Sequence, residues 1–290
     1  MRVEDLPEPR PGAGEVRVRA EAIGVGVPDM LMRSGRYNWI PPFPFAPGHE
    51  LAGTVDAVGD GVTRFSVGDR VFVSARELPQ RGGGYAEAIV VPAAAPFALP
   101  DGVSAEQAVT LGNYQLGWLL LNYAAKPSAG QTLLIHAAAG GAGGALVELA
   151  KRQGMTVYGI AGGPEKARYV SDLGADAVID RTTQDIGDRV AELSEGRGVD
   201  VIYDSVAGPR FADDFKMLAA MGMVVLFGYI AGQPDPNIYT PMRAAIGKSV
   251  GLRLFSIHVL DDRPDIRRGA MDEAIAALVA GEIAPRIHAR

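Results

Sequence analysis

The stretch from Gln131 to Gly144, Gln-Thr-Leu-Leu-Ile-His-Ala-Ala-Ala-Gly-Gly-Ala-Gly-Gly, decides the fold of this chain. Its apolar run at 133–135 predicts a buried parallel strand. The small residues that follow lead into an apolar helix predicted at 145–153. Strand, glycine-rich loop and helix therefore stand in the order that a nucleotide-binding βαβ unit requires.

Three small residues in this loop, Ala138, Gly140 and Gly143, have the spacing of the G-x-G-x-x-G fingerprint of dinucleotide-binding proteins, with alanine at the first glycine. Residues without bulky side chains allow a tight turn in which backbone N–H groups at a helix N-terminus approach a pyrophosphate. We therefore predict that a dinucleotide pyrophosphate is held by Gly140, Gly141, Ala142 and Gly143.

Strands and helices continue to alternate after this loop. The predicted strands are 157–161, 177–180, 199–204, 223–228 and 250–254, and the predicted helices are 164–173, 186–194 and 211–221. Alternation at this spacing predicts a parallel sheet covered on both faces. The fold class is therefore α/β, with a doubly wound Rossmann-type domain.

Composition restricts the function classes. The chain has 290 residues, 48% of them hydrophobic and 21% charged, a net charge of −6 and no cysteine. This length predicts two domains. The lack of cysteine excludes disulfides, a thiolate nucleophile and a cysteine-based zinc site. We expect a cytoplasmic protein that binds neither membranes nor nucleic acid, because no apolar run reaches the roughly 18 residues of a membrane span and no basic face is present.

The N-terminal part has a different pattern. Short β runs at 16–22, 51–58, 70–74 and 86–91 are separated by glycine-rich turns, and 16–22 alternates with a period of two. This predicts an antiparallel, barrel-like β domain over residues 1–112. A helix at 105–109 and the apolar segment 116–121 are expected to bridge it to the following domain.

Several separated motifs resemble the medium-chain dehydrogenase/reductase superfamily. They are Pro47-Gly48-His49-Glu50-Leu51-Ala52-Gly53-Thr54-Val55, Gly68-Asp69-Arg70-Val71-Phe72, Gly83-Gly84-Tyr85-Ala86-Glu87, the glycine loop and Tyr203-Asp204-Ser205-Val206. Together they are similar to the zinc-independent quinone oxidoreductase branch, the relatives of ζ-crystallin. The resemblance implies a GroES-like β-barrel catalytic domain at 1–112, a Rossmann NADPH-binding domain at 113–256, and a segment at 257–290 that returns towards the first domain.

His49 requires separate consideration, because the same Gly-His-Glu motif occurs in zinc alcohol dehydrogenases, where this histidine is a metal ligand. Catalytic zinc needs three protein ligands. This chain has Gly26 where those enzymes have a cysteine ligand, and no cysteine or histidine near Asn113 for a second. We therefore expect no metal, and a hydrogen-bonded structural role for His49.

The second Rossmann strand ends without the acidic residue that binds a free ribose 2′-hydroxyl in NAD-dependent proteins. Lys166, Arg168 and Arg181 lie downstream instead, which favours NADPH. The resemblance implies that Lys166 contacts the 2′-phosphate and that Arg181 assists. The alternative is that these side chains are ordinary solvated charges.

Further cofactor contacts are expected where the later strands end, because ligands of such sheets bind at the carboxyl ends of the strands. By resemblance, Ser205, Val206, Phe227, Gly228 and Tyr229 line the path from adenosine to nicotinamide. Phe255 is expected beside the nicotinamide.

Tyr37 and Tyr114 are the candidates for the substrate cleft, and no catalytic residue is assigned. For these two residues with Trp39, Phe43 and Phe45, ordinary loop packing is favoured over the alternative, an apolar wall for a flat acceptor. Gly26 and Leu116 replace polar residues of the family, which leaves open whether activity is reduced. Asp29 and Arg33, four residues apart on one predicted helix, are expected to form an ion pair rather than to act in catalysis.

The function implied is NADPH-dependent reduction of a quinone or a similar electron-poor enone by direct hydride transfer, in a homodimer. Two alternatives stay open, an enoyl-thioester reductase of the polyketide or fatty-acid type and a non-catalytic NADPH-binding protein. Relatives have additional segments at both ends, so the chain is expected to be either a short variant or a fragment.

Overall fold

The computed structural model describes residues 2–290, which form two compact units. One unit extends to Gly112 and also contains Ile275–Arg290, and the other comprises Asn113–Ala274. The sequence-based domain bounds, 1–112 and 113–256 with 257–290 returning towards the first domain, stay a prediction. Within residues 2–290, no helix has the length and apolarity needed to cross a membrane.

The first unit is built on an antiparallel sheet. Its strands are β1 (Glu15–Gly24), β2 (Glu50–Val58), β3 (Arg70–Ser74), β4 (Ala88–Pro92) and β5 (Phe97–Ala98), in the order β4-β1-β2-β3-β5. Val16 and Val18 of β1 point into the core, where they pack with Leu51 and Val55 of β2. The period-two pattern thus buries one face of the strand, at about 1.5–3 kcal/mol for each fully buried apolar side chain.

Two short helices accompany this sheet, α1 (Val27–Arg33) and α2 (Ala105–Ala108). Ser104 and Gln107 form a capping box that satisfies two backbone N–H groups at the start of α2. At α1 the side chain of Asp29 accepts from the N–H of Gly26, which is the N-cap residue.

The second unit contains a parallel sheet. Its strands are β6 (Thr132–Ile135), β7 (Thr156–Ala161), β8 (Ala177–Asp180), β9 (Val199–Asp204), β10 (Leu218–Leu226) and β11 (Gly251–Leu254), in the order β11-β10-β9-β6-β7-β8. The strand order reverses between β6 and β9. Such a switch point is where doubly wound sheets bind ligands, outside the carboxyl ends of the strands. The predicted fold class is confirmed.

Helices alternate with these strands along the chain. They are α3 (Leu111–Leu119), continued by a π-helix (Leu120–Ala125), then α4 (Gly141–Arg152), α5 (Pro164–Asp172), α6 (Ile186–Leu193), α7 (Asp214–Met217), α8 (Tyr239–Ala244) and α9 (Pro264–Val279). The core beneath them joins Leu134, Ile202 and Val224 of three neighbouring strands to Phe211 and Phe215. The fully buried strand residues explain the continuous apolar runs in the sequence.

The segment between β9 and β10 corrects one predicted element. The helix predicted at 211–221 is wrong beyond Met217, because Leu218 already pairs with Val199 of β9. The register shifts after Leu218, and Met221 has a φ of 63°. Leu218 is fully buried, so sheet packing overrides the helical periodicity of this segment.

Candidate functional site

The glycine loop joins β6 to α4 at the switch point of the sheet. Its turn is closed by a hydrogen bond of 2.8 Å from the N–H of Gly140 to the carbonyl of Ala137, which has a φ of 49°. Helix α4 starts at Gly141, earlier than predicted, so Gly141, Ala142 and Gly143 form its first turn. The N–H groups of a first turn have no acceptor within the helix, and the helix dipole is positive there. This end of α4 suits a pyrophosphate.

Close approach of the loop backbone requires glycine at position 143, whereas at position 141 the neighbour is the end of a flexible side chain. A Cβ on Gly143 would lie 2.3 Å from the carbonyl oxygen of Ala137, and one on Gly141 would lie 2.6 Å from the side-chain nitrogen of Asn113. The alanine at the first fingerprint position, Ala138, is accommodated against the glycine at 159, which has no side chain. The loop is therefore shaped to bring backbone rather than side chains to the ligand.

The end of β7 carries the charges expected for a 2′-phosphate. The N–H of Arg181 donates to the carbonyl of Ala161 over 3.0 Å, and its guanidinium lies 2.9 Å from where a Cβ of Gly162 would be. Lys166 is exposed in the first turn of α5. Neither cation has a side-chain hydrogen bond or ion pair within residues 2–290. Both are thus free to contact a phosphate at this turn.

The sequence interpretation missed a carboxylate at the same turn, Asp180 at the end of β8. Its Oδ1 accepts from Gly163 N at 2.9 Å, Thr182 N at 3.0 Å and Thr182 Oγ1 at 2.7 Å. The Thr182 and Gly163 hydrogen bonds hold the pKa of Asp180 below its ordinary value. Because these donors already occupy the oxygen, Asp180 anchors the turn. The missed signal was its position at the end of the neighbouring strand.

The segments after β9 and β10 lie side by side. The N–H of Phe227 donates to the carbonyl of Asp204, and the carbonyl of Ser205 lies 2.7 Å from where a Cβ of Gly228 would be. The carbonyl of Val206 accepts a hydrogen bond of 2.8 Å from Ala231 N. The structure thus brings the expected residues of these two segments together at the carboxyl end of the sheet. Tyr229, in the same turn, is 44% exposed.

Phe255 follows β11, and its N–H donates to the carbonyl of Leu226. Its ring packs against a buried cluster that includes Leu119 and Ile257, and Leu116 packs on the same cluster. The apolar residue at position 116, where the family has a polar one, therefore has a packing role in this chain.

A buried cluster that the sequence interpretation missed lies beside the glycine loop. His136 Nε2 is 3.0 Å from Asp214 Oδ1, and His136 Nδ1 is 4.0 Å from Asp204 Oδ1. Burial alone would lower the pKa of His136, but the charges of Asp214 and Asp204 outweigh it and raise that pKa. Burial also raises the pKa of Asp214. Both directions favour retention of the proton between them. A histidine directly after a strand was the available signal.

His49 in the first unit is hydrogen-bonded, as expected. Its Nδ1 lies 2.9 Å from Asp29 Oδ1, and Asp29 Oδ2 accepts from Gly26 N at 2.9 Å. Burial raises the pKa of Asp29, but the hydrogen bonds from His49 and Gly26 outweigh it, so the net shift is downward. The predicted Asp29–Arg33 ion pair is wrong, because Asp29 turns inward to these donors while Arg33 stays exposed.

The donor set around His49 does not fit catalytic zinc. Its Nε2 is buried without a hydrogen-bond partner. The neighbouring Glu50 is buried, which raises its pKa. Within residues 2–290, no two other His, Asp or Glu residues place their ligand atoms within 4.8 Å of His49 and of each other. Gly26 has no side chain that could be a ligand. A catalytic zinc site needs three such ligands.

The aromatic residues near His49 are grouped. The ring of Tyr37 meets the His49 ring edge-on at 5.4 Å and lies 5.5 Å from Trp39. Phe43, 80% exposed, lies 5.1 Å from Phe45. The first unit thus has two aromatic pairs, Tyr37 with Trp39 beside His49 and Phe43 with Phe45.

Tyr114 is placed differently. It lies in the second unit and is 5% exposed, and its hydroxyl donates to Glu148. Burial, followed by the Glu148 contact, raises the pKa of the Tyr114 hydroxyl. These contacts give Tyr114 a packing role, and a role in the substrate cleft stays a prediction.

Comparisons with known proteins agree with this arrangement. Residues 12–101 match the alcohol dehydrogenase GroES-like domain, and residues 141–274 match the zinc-binding dehydrogenase family. A quinone oxidoreductase of Pseudomonas aeruginosa is 34% identical over 294 residues, covering 100% of this chain and 87% of that protein.

Two solved structures have the same fold. A mycobacterial protein complexed with NADPH superposes with a TM-score of 0.87 at 35% identity, covering 99% of this chain and 87% of that one. A 2-haloacrylate reductase superposes with a TM-score of 0.79 at 30% identity, covering 97% of this chain and 84% of that one.

Proposed function

The chain belongs to the zinc-independent quinone oxidoreductase branch of the medium-chain dehydrogenase/reductase superfamily and is an NADPH-dependent oxidoreductase; from this premise we propose that it reduces quinones or similarly electron-poor enones. The cofactor supplies a hydride when bound. The acceptor gains that hydride and a proton, and a quinone thereby becomes a hydroquinone by a balanced two-electron reduction. Solvent supplies the proton, so no protein acid is required.

One observation supports this proposal: backbone amides and two cations lie where the phosphates of a dinucleotide are expected to bind, whereas the groups around His49 do not supply the three ligands of a catalytic zinc. Glycine-loop amides at Gly141 and Gly143 are available to an anion, and Lys166 and Arg181 are unpaired within residues 2–290. An acceptor that needs no metal activation must already be electron-poor. Hydride transfer to it then depends mainly on positioning.

Enones are included because the likeness to a 2-haloacrylate reductase favours a polarised C=C bond as a second acceptor type. An enoyl-thioester reductase would use the same fold and cofactor. That alternative also calls for a general acid at the α-carbon and for a basic patch that accepts a phosphopantetheine arm. A non-catalytic NADPH-binding protein is the other alternative.

We also propose that the protein is a cytoplasmic homodimer. Light scattering of the purified chain, which gives the molar mass in solution, tests the oligomeric state. A mass near one chain's 30.5 kDa would refute the dimer.

The function is tested by steady-state oxidation of NADPH with a panel of quinones, enones and enoyl thioesters. We expect the highest kcat/KM with a quinone or a simple enone. A higher kcat/KM for the thioesters would establish the first alternative. NADPH binding without turnover of any acceptor would establish the second.

A further inference from the structure

His136 connects the two loops that the cofactor must contact. It is the first residue after β6 and precedes the glycine loop, and its N–H donates to the carbonyl of Tyr203 in β9. Its ring reaches Asp214 at 3.0 Å and faces Asp204 at 4.0 Å. The imidazole therefore bridges the start of the glycine loop, the end of β9 and helix α7.

Asp204 links the cluster of His136, Asp204 and Asp214 to the turn that follows β9. Its carboxylate accepts from Val206 N at 2.6 Å and from Ala207 N at 3.1 Å, which fixes the turn that begins with Ser205. The backbone of Ser205 in turn lies against Gly228. Any displacement of Asp204 therefore moves the segment expected to contact the cofactor.

Asp214 is a buried carboxyl group with one oxygen that has no hydrogen-bond partner. Its side chain is 2% exposed, and its Oδ2 is buried without a hydrogen-bond partner. Asp204 is buried as well, so two carboxylates face one imidazole in the interior. A buried carboxylate without a compensating cation is costly. A charged His136 offsets one of the two.

We propose that His136 is a positioning residue for the cofactor: held by Asp214 and facing Asp204, it fixes the glycine loop relative to the turn after β9 and offsets their negative charge beside the pyrophosphate. This rests on the proposed function only in that NADPH is the cofactor. His136 touches neither cofactor nor acceptor; it acts through the loop and through Asp204.

The electrostatic part has a definite sign. The groups facing His136 are Asp214 from α7 and Asp204 from β9, and Asp213 acts on Asp214 from the same helix region. The pKa of His136 is raised, so its charged form persists to higher pH than that of a free histidine. Once the proton is lost, two carboxylates stand next to the site of an anion. Cofactor affinity should therefore fall as pH rises through the raised pKa.

The test measures the dissociation constants of NADPH and NADH by fluorescence from pH 7 to 9.5, where a phosphate group with a second pKa near 6 no longer titrates. We expect both cofactors to bind more weakly as pH rises in the unmodified protein. His136→Gln should weaken both by about tenfold at pH 7, the order of one uncompensated charge. The difference should shrink towards pH 9.5.

Two further variants keep the test decisive. His258→Gln removes the imidazole of another His–Asp pair in the same unit, His258 with Asp261 at 3.3 Å, and should leave the pH profile unchanged. Asp214→Asn lowers the charge facing His136, so it should move the fall in affinity to lower pH; this variant also serves if His136→Gln does not fold.

Binding is measured without turnover, so these results are independent of which acceptor is reduced. A pH-independent loss in His136→Gln, a loss equal to that of His258→Gln, or an unshifted profile in Asp214→Asn would overturn the proposal. Stoichiometric binding of Zn²⁺ that His136→Gln abolishes would also overturn the proposal, because the cluster would then be a metal site.

Discussion

Replacement of Lys166 and Arg181 should remove the preference of this protein for NADPH over NADH. The guanidinium of Arg181 lies against Gly162 at the end of β7, and Lys166 stands in the first turn of α5, which begins two residues later. Both side chains are exposed, and neither has an ion-pair partner within residues 2–290. Their charges are therefore available to the 2′-phosphate, which NADH lacks.

The magnitude follows from the kind of contact. A hydrogen bond to a charged group contributes about 1.5–3 kcal/mol, and solvent exposure brings each contact towards the lower end. A loss of about 1.4 kcal/mol is a tenfold change in affinity. Lys166→Ala should weaken NADPH binding about tenfold and leave NADH binding nearly unchanged. Adding Arg181→Ala should bring the loss to about a hundredfold and largely erase discrimination.

Fluorescence titration of each variant with both cofactors measures this. Arg168→Ala is the matched control, because it removes an exposed cation from the same helix on a different face. It should change neither dissociation constant by more than about twofold, as expected for a solvated charge. Equal affinities of the unmodified protein for NADH and NADPH would refute the reasoning, as would parallel losses for both cofactors in Lys166→Ala.

Gly143→Ala should weaken the binding of NADPH and of NADH at least tenfold, because its Cβ would lie 2.3 Å from the Ala137 carbonyl oxygen. Gly144→Ala is the control: its Cβ would lie 3.3 Å from the nearest side chain, so the same titration should show a smaller loss. Metal analysis should find no stoichiometric zinc, and chelators should leave turnover unchanged; one zinc per chain, lost with activity in His49→Ala, would contradict this. The pKa of Asp29 is lowered on folding, so the stability it contributes is present above its ordinary pKa and is lost as pH falls through the folded one. Asp29→Asn should lower the free energy of unfolding by about 1–3 kcal/mol at neutral pH, and this free energy should then decline less steeply as pH falls. Chemical denaturation from pH 3 to 7 measures it. A pH dependence equal to that of the unmodified protein would contradict this prediction.

The Rossmann unit was largely predictable because its signals are local. The apolar run ending at Ile135 and the glycines from Gly140 onwards need only the strand and the helix that they join. The predicted strands 177–180 and 199–204 have the observed bounds. The predicted start of α4, at residue 145, lies four residues after the observed start at Gly141, because the low helix propensity of glycine favours a loop there.

What could not be predicted depends on contacts distant in sequence. The sequence pattern around Leu218 predicts a helix, and only the pairing of Leu218 with β9 in the folded structure shows that it belongs to a strand. The sequence predicted an ion pair between Asp29 and Arg33 because their helical spacing is visible in it. The contact of Asp29 with His49, twenty residues away, cannot be seen in the sequence. Asp214 and His136 lie 78 residues apart, so their pairing required the fold. The family resemblance supplied the cofactor residues, and it could not supply this pair.

The proposed reaction is direct hydride transfer from NADPH to an electron-poor acceptor without a metal. It is tested most directly by mixing the protein anaerobically with NADPH and a simple quinone in the presence of a chelator, and by repeating this with NADPH deuterated at the transferred position. We predict that one NADPH is consumed for each quinone reduced to hydroquinone, and that deuteration measurably slows the reaction. NADPH that binds but is not consumed, or consumption that ceases with the chelator, would contradict the account.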